Sequence, residues 1–541
     1  MTDPVTVGRL DDLAPGSMKL VRAGGRRLCL VRTSEGVFAL DHACPHEGYG
    51  LAQGELDEEG VLTCAWHNWK FRVSDGTCLL GEEAVTTHPV EVGEDGGVRV
   101  TVRRPDPAAA RPRLLASLRQ GIERAYVGQT SRDVVRLLQA SADPGELVWE
   151  AIAYGAPRAE FGWGHAIASA TDCLSMLEQY EGEQQALPIV QAIAGVAETE
   201  RGRSPRPLPA PARDLGPDPA STFRSLVETE QLEPAQALLL GAIERGIGRD
   251  DLVPWFTAVV SDHHLSYGHA AIYSQKAFQL LDALGWDRAA TVLPHLVPTI
   301  VLGTREDKLP YMRRFRRALA EVDLPTLAEV EPADDWEDDG RLLGALLGED
   351  RTAPLTGAVA ALRDGCTVDR LLDVVVAAVS ERMLRYDVTC EQDLHDDFGW
   401  LDITHGLTYA NAARWHHAQQ PGPDALRLAL WTVFQAHWTG RHEWHSPIGV
   451  RAEVPPGPGE LKAYGELLQR RSLLDETSTF IVHAHAVKTS VAATEEALRS
   501  GSPLPLDATA RFLDAPRRER FVAATVARSI DFLTGRAPRD V

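Results

Sequence analysis

Two short segments constrain this 541-residue chain more than any other feature: Ala43-Cys44-Pro45-His46 and Cys64-Ala65-Trp66-His67. Together they spell C-x-H-x17-C-x2-H. Two thiolates and two imidazoles at this spacing suit two metal chemistries: a tetrahedral structural zinc, or a 2Fe-2S cluster in which one iron takes both Cys and the other both His. The order of the ligands favours the cluster. Each loop supplies one thiolate and one imidazole, so both His lie on the same outer side, whereas a zinc finger of this composition groups Cys with Cys and His with His. The flanks provide strands to carry such loops. Leu28-Cys29-Leu30-Val31 and Val37-Phe38-Ala39-Leu40 bracket the turn Ser34-Glu35-Gly36, and Val98 to Val102 alternates as a half-buried strand, which predicts a small all-β module over residues 1–103.

The run Cys64-Ala65-Trp66-His67-Asn68-Trp69-Lys70-Phe71, followed by Asp75-Gly76, resembles the second cluster loop of the Rieske domain family in its ferredoxin and oxygenase branch. That loop reads Cys-Pro-Trp-His-Gly-Trp-x-Phe before a Thr-Gly turn, and the resemblance extends over residues 5–103. Ala65 replaces the usual Pro and Asn68 the usual Gly, so the backbone around His67 is expected to be held differently. The resemblance implies a 2Fe-2S cluster on Cys44, His46, Cys64 and His67, with His46 and His67 facing the electron acceptor. Respiratory-complex relatives carry an extra Cys in each loop and brace the cluster with a disulfide; Tyr49 and Trp66 stand at those places. A low-potential carrier is therefore implied, towards the lower end of the ~ −150 to +300 mV range of such centres. Cys29, Cys78, His42 and His88 read as core or structural residues.

Beyond this module the character of the sequence changes. A Pro- and Ala-rich connector, residues 104–111, leads into Ala-, Leu-, Arg- and Glu-rich amphipathic segments without strand patterns over residues 112–541. Breaks at Ser204 to Pro219, Glu331 to Gly340 and Val454 to Gly459 divide them into units of about 112–203, 220–330, 341–450 and 460–541. The units align on one His each: Gly164-His165-Ala166, Gly268-His269-Ala270, Thr404-His405-Gly406 and Ala484-His485-Ala486. Each His is followed at the next position by Ala or Gly and eight positions on by Cys173, Ala277, Ala413 or Ala493, a small-residue stripe that lets a neighbouring helix approach closely. In the first three units an Arg follows at the same distance: Arg201, Arg305 and Arg441. The expected fold is multidomain, an N-terminal all-β domain followed by a large all-α domain of pseudo-repeated helical hairpins.

A cluster of this kind moves single electrons and makes no bonds itself, so an acceptor is required. Helical bundles build iron sites from His and carboxylates on facing helices. A second, non-haem iron is accordingly sought among His165, His264, His269, His405 and His485. His264 and His269 have the H-x4-H spacing of Rieske oxygenase iron ligands, and Glu160 and Asp402 are candidate carboxylates. The bland alternative is four structural His repeated by shared ancestry. Between His395 and His445 lie seven of the 18 His and five of the 12 Trp, and Arg441, Trp438 and His437 are candidate lining for an aromatic-substrate pocket. The leading expectation is an oxygenase-like oxidoreductase that oxidises a small organic substrate. The alternative is a redox-responsive or electron-transfer scaffold whose repeats bind a protein partner.

With 55 Lys plus Arg against 77 Asp plus Glu, the net charge of −22 excludes nucleic acid and an anionic membrane as main partners and leaves room for a basic redox protein. No dinucleotide fingerprint follows a strand, so a separate reductase or ferredoxin is the expected electron donor. Seven scattered Cys and the absence of a long apolar stretch lead us to expect a cytoplasmic protein with reduced thiols.

Overall fold

The computed structural model describes residues 3–81, 83–103, 107–395, 398–443 and 451–535. It comprises an N-terminal β unit followed by a large helical region, with 21 α-helices among the described residues. None of these helices is long and apolar enough to cross a membrane.

Eleven short strands build the β unit: β1 (Val5–Arg9), β2 (Ser17–Ala23), β3 (Arg26–Arg32), β4 (Val37–Asp41), β5 (Glu55–Leu56), β6 (Val61–Thr63), β7 (Lys70–Arg72), β8 (Cys78–Leu80), β9 (Thr87–His88), β10 (Val90–Val92) and β11 (Gly97–Val100). They form three antiparallel sheets in the orders β1-β11-β10, β2-β3-β4-β9 and β5-β6-β7-β8. Strand β3 is buried on both faces, because Leu28 and Leu30 enter one core while Cys29 and Val31 enter another. The second core also takes Leu62, Phe71, Cys44 and Cys64, which fixes the bases of the loops after β4 and β6. Of the expected connector, residues 104–106 lie outside those described. From Pro107 onward the chain is already helical. Helices α1 (Pro107–Arg124) and α2 (Val127–Gln139) form a hairpin, most of which belongs to the same compact unit as the strands.

The second unit, Ile122–Ala125 and Asp143–Val541, has the four aligned His on four central helices: His165–Ser175, His269–Leu284, Trp400–Gln419 and Phe480–Ser500. Each central helix packs on the next, and the last returns to the first, so they close into a ring. Every one is backed by the following helix, respectively Ala186–Thr199, Ala289–Val301, Pro423–Trp438 and Leu504–Asp514. Ala166, Cys173, Ala270, Ala277, Ala413, Ala486 and Ala493 are all buried, and a Cβ added at Gly406 would lie 2.8 Å from Val379. The small stripe is thus buried, and at Gly406 it allows the close approach of the helix Val368–Arg385.

The central helices differ at their starts. Gly164 is extended and Gly268 is left-handed (φ 88°), so two of them begin at the His itself. The other two begin at Trp400 and Phe480, five residues before His405 and His485.

Candidate metal centres

The two loops of the β unit are near copies. Cys44 N–H donates to the Tyr49 carbonyl at 2.8 Å and Cys64 N–H to the Trp69 carbonyl at 2.8 Å. Gly48 and Asn68 N–H groups donate back to the Cys44 and Cys64 carbonyls at 2.8 and 3.2 Å. Both closures need a left-handed residue, which Gly48 supplies at φ 77° and Asn68 at φ 60°. The expectation that Asn68 alters the loop is corrected: Asn tolerates this region, and its backbone does what Gly does in the sister loop.

Folding brings His46 Nδ1 and His67 Nδ1 to 3.0 Å, while Cys44 and Cys64 are buried free thiols beneath them. Burial pushes the Cys44 thiol up to about 12, while backbone N–H groups of His46 and Glu47 bond to its sulfur and act in the opposite sense. Burial at this place would be compatible with two thiolates only beside a cation, and the donor set, two inner sulfurs and two outer nitrogens, fits a 2Fe-2S cluster. Tyr49 and Trp66 stack with ring centroids 4.4 Å apart and planes 18° apart, so an aromatic pair joins the two positions where a disulfide would sit. His88 lies 3.1 Å from Asp41 and accepts from Arg103 N–H, and Cys29 and His42 are buried, as expected of structural residues.

In the helical unit, His165 Nε2 lies 3.0 Å from His269 Nε2, which lies 2.8 Å from His405 Nε2. The His485 ring is 4.9 Å from that of His165 and 4.6 Å from that of His405. Its Nδ1 faces Thr404 Oγ1 at 3.1 Å, and its buried Nε2 has no hydrogen-bond partner. Burial, reinforced by the charge of Lys488, lowers the pKa of all four imidazoles, so they are neutral and their lone pairs are available. This is the donor set of a His-rich metal site, and an orphaned Nε2 is what a metal would satisfy. His405 and His485 are buried, whereas His165 and His269 are half-buried.

Spacing alone did not single out the charges beneath the four His. Lys488, one turn after His485, is buried without a hydrogen-bond partner, and burial drives its pKa down to about 7. Much of it is thus free amine at neutral pH, able to take up a proton at Nζ. Asp172 and Lys276, each seven residues after a ring His, form a buried ion pair at 2.7 Å. The sequence signal was a lone charge at +3 or +7 on an otherwise apolar stripe.

His264 does not join the cluster. The consecutive left-handed residues Ser266, Tyr267 and Gly268 (φ 47°, 57° and 88°) reverse the chain between it and His269. His264 instead pairs with Glu306 at 2.5 Å and packs against Tyr409, Trp431 and Phe434. Glu160 is exposed beside Arg203, and Asp402 accepts from Gly399 N–H at the helix start and lies 3.8 Å from Arg441. Neither candidate carboxylate is with the His. Arg201 is exposed, and Arg305 pairs with Glu228 at 3.3 Å. Trp438 stacks on Tyr311 (4.9 Å, 11°), and the Arg441 guanidinium lies over Phe398 at 4.2 Å. His437 is buried with Nδ1 3.4 Å from the Leu346 carbonyl, which gives it a structural place. Trp444 and His445 lie outside the described residues.

The buried His make stability depend on pH. Burial holds His416 and His437 down to about 4, with the ring His lowered as well, whereas the unfolded chain binds these protons near 6.5. Between those values the unfolded state carries more protons, so stability is complete above pH ~6.5 and falls towards pH 4, by ~1.4 kcal/mol per pH unit for each such His. Asp133 and Glu200, raised by burial, act in the opposite sense but are outnumbered. The guanidinium midpoint of metal-free protein is expected to drop steeply from pH 7 to pH 5; a flat profile would show that these His are not buried neutral.

A family model for the Rieske [2Fe-2S] domain matches residues 3–91, and the C-terminal region matches no family. The ferredoxin component of the alkene monooxygenase system of Xanthobacter autotrophicus is 39% identical over 72 residues, 13% of this chain and 59% of that protein. A cholesterol 7-desaturase of Hemicentrotus pulcherrimus is 35% identical over 69 residues, 13% of this chain and 15% of that protein. The solved ferredoxin of carbazole 1,9a-dioxygenase from Nocardioides aromaticivorans is 28% identical and wholly covered, over 19% of this chain, with a TM-score of 0.18. The chain therefore spans less than two thirds of either curated relative. Residues 3–91 are a Rieske [2Fe-2S] domain, homologous to those of oxygenase ferredoxins and desaturases and followed here by a body of helices.

Proposed function

We propose that this protein is a Rieske-dependent oxidoreductase of the oxygenase type, in which the 2Fe-2S cluster supplies electrons to a non-haem iron held by His165, His269, His405 and His485. The observation that carries this reading is the meeting of three Nε2 atoms, each within 3.0 Å of another, from three separate helices of the ring. Bound there, iron would supply one-electron chemistry and coordination positions for dioxygen. The chain's own residues do the rest. Thr404 orients His485 through Nδ1, and Tyr267 stacks on His405 at 6.0 Å. Lys488 can give or take a proton at Nζ near neutral pH. In this reading a small molecule would approach past His165 and His269, which are half-buried, rather than past the buried His405 and His485.

The substrate in this reading is a small organic molecule. Electrons come from a separate reductase or ferredoxin. Single-turnover kinetics test the proposal: protein reduced without oxygen is mixed with dioxygen, and reoxidation of the cluster is followed. His405→Ala is expected to keep the cluster spectrum and slow reoxidation about tenfold or more. An unchanged rate would contradict the role of the His centre and favour a scaffold.

A further inference from the structure

The two imidazoles of the Rieske centre are not equivalent. His67 has 41% of its side chain exposed and His46 only 13%. The difference arises from two rings. Trp69 stacks on the face of His46 (4.8 Å, 18°), and the Tyr126 hydroxyl lies 2.7 Å from its Nε2. Tyr126 lies beyond residues 3–91, in the turn between α1 and α2, so this contact is an addition of this chain to the Rieske domain.

The hairpin is built to hold that hydroxyl. Ala125 is left-handed (φ 51°) and turns the chain, and Tyr126 N–H donates to the Gly121 carbonyl at 2.9 Å. A Cβ at Gly128 would lie 3.3 Å from the Tyr126 ring, so the small residue seats it. The Arg132 guanidinium lies 5.9 Å from the ring centroid, and Arg136 pairs with Glu83 of the β unit.

The direction of the bond follows from the tautomer. His46 Nδ1 faces His67 Nδ1 on the cluster side, so its lone pair is the one offered to iron, and the single proton of the neutral ring sits on Nε2. Nε2–H therefore donates to the Tyr126 oxygen. Glu47, 4.0 Å from the same nitrogen, is more distant. Donation from the outer nitrogen makes an imidazole a more basic ligand, which favours the oxidised iron.

We infer that Tyr126 is a positioning residue for the Rieske centre: by accepting from His46 Nε2 it lowers the reduction potential and closes the His46 edge, which leaves His67 as the edge open to a soluble redox partner. This refines the expectation that both His face outward together. The test uses the full chain with its cluster. Tyr126→Phe keeps the ring and removes the acceptor, and its one-electron equilibrium is expected to shift about threefold towards the reduced form, a rise of ~28 mV at 59 mV per tenfold. A potential that falls, or moves by less than ~10 mV on the same conversion, would overturn the proposal. A second measurement needs no variant. Diethylpyrocarbonate followed by peptide mass spectrometry should modify His67 and spare His46 in the unaltered protein; equal modification of the two would also overturn it. Neither readout depends on iron in the helical unit, so failure here and failure of the proposed function are separable.

Discussion

Replacing Asp172 by Ala is expected to destabilise the protein by about 3–5 kcal/mol, the cost of stranding one partner of a buried ion pair. Asp172 and Lys276 have side chains only 1% and 5% exposed, and they meet at 2.7 Å between two helices of the ring. The carboxylate and its neighbour Glu495 favour the charged form of Lys276 against burial, and its Nζ also reaches Gln279 at 3.1 Å. Lys488 is already driven to about 7 by burial, with Asp172 the main influence holding it up. Loss of Asp172 therefore leaves two buried amines with only the exposed Glu495 to favour the charged form of Lys276. The shift in guanidinium midpoint measures the effect. Asp172→Leu combined with Lys276→Met should recover most of the loss, because an apolar pair of similar volume avoids the desolvation of both charges. A loss below ~1 kcal/mol for the single variant would place the pair in water rather than in the core.

What could be read from the residues alone follows a physical line. That Cys44, His46, Cys64 and His67 come together was legible because a repeated Cys and His pattern calls for two matching tight loops, which the structure has. The meeting of His165, His269, His405 and His485 was legible through the aligned motif, since the four helices that carry these His pack on one another in turn. His264 was misplaced because spacing along a chain says nothing of three successive left-handed residues, which Ser266 and Tyr267 adopt only within the folded unit. Tyr126 was invisible for a different reason: one hydroxyl 80 residues from its partner forms no pattern. The helix starts were half legible. Gly164 and Gly268 stand immediately before their His and mark where those two helices begin, whereas nothing beside His405 and His485 marks the earlier starts at Trp400 and Phe480.

The larger expected effect concerns iron itself. In the proposed function two sets of side chains, Cys44, Cys64, His46 and His67 in the β unit and the four ring His in the helical unit, would make two independent demands for the metal. Replacing Cys44 and Cys64 would remove both proposed sulfur ligands of the cluster, while the four ring His, on helices of the second unit, are untouched. The most direct measurement is therefore the iron content of purified, folded Cys44→Ser/Cys64→Ser protein. The 2Fe-2S absorbance is expected to be lost with about one iron per chain retained, falling to background when His405→Ala is added. Folded double-variant protein that carries no iron after reconstitution, or iron that survives the added His405→Ala, would contradict a metal centre at the four His.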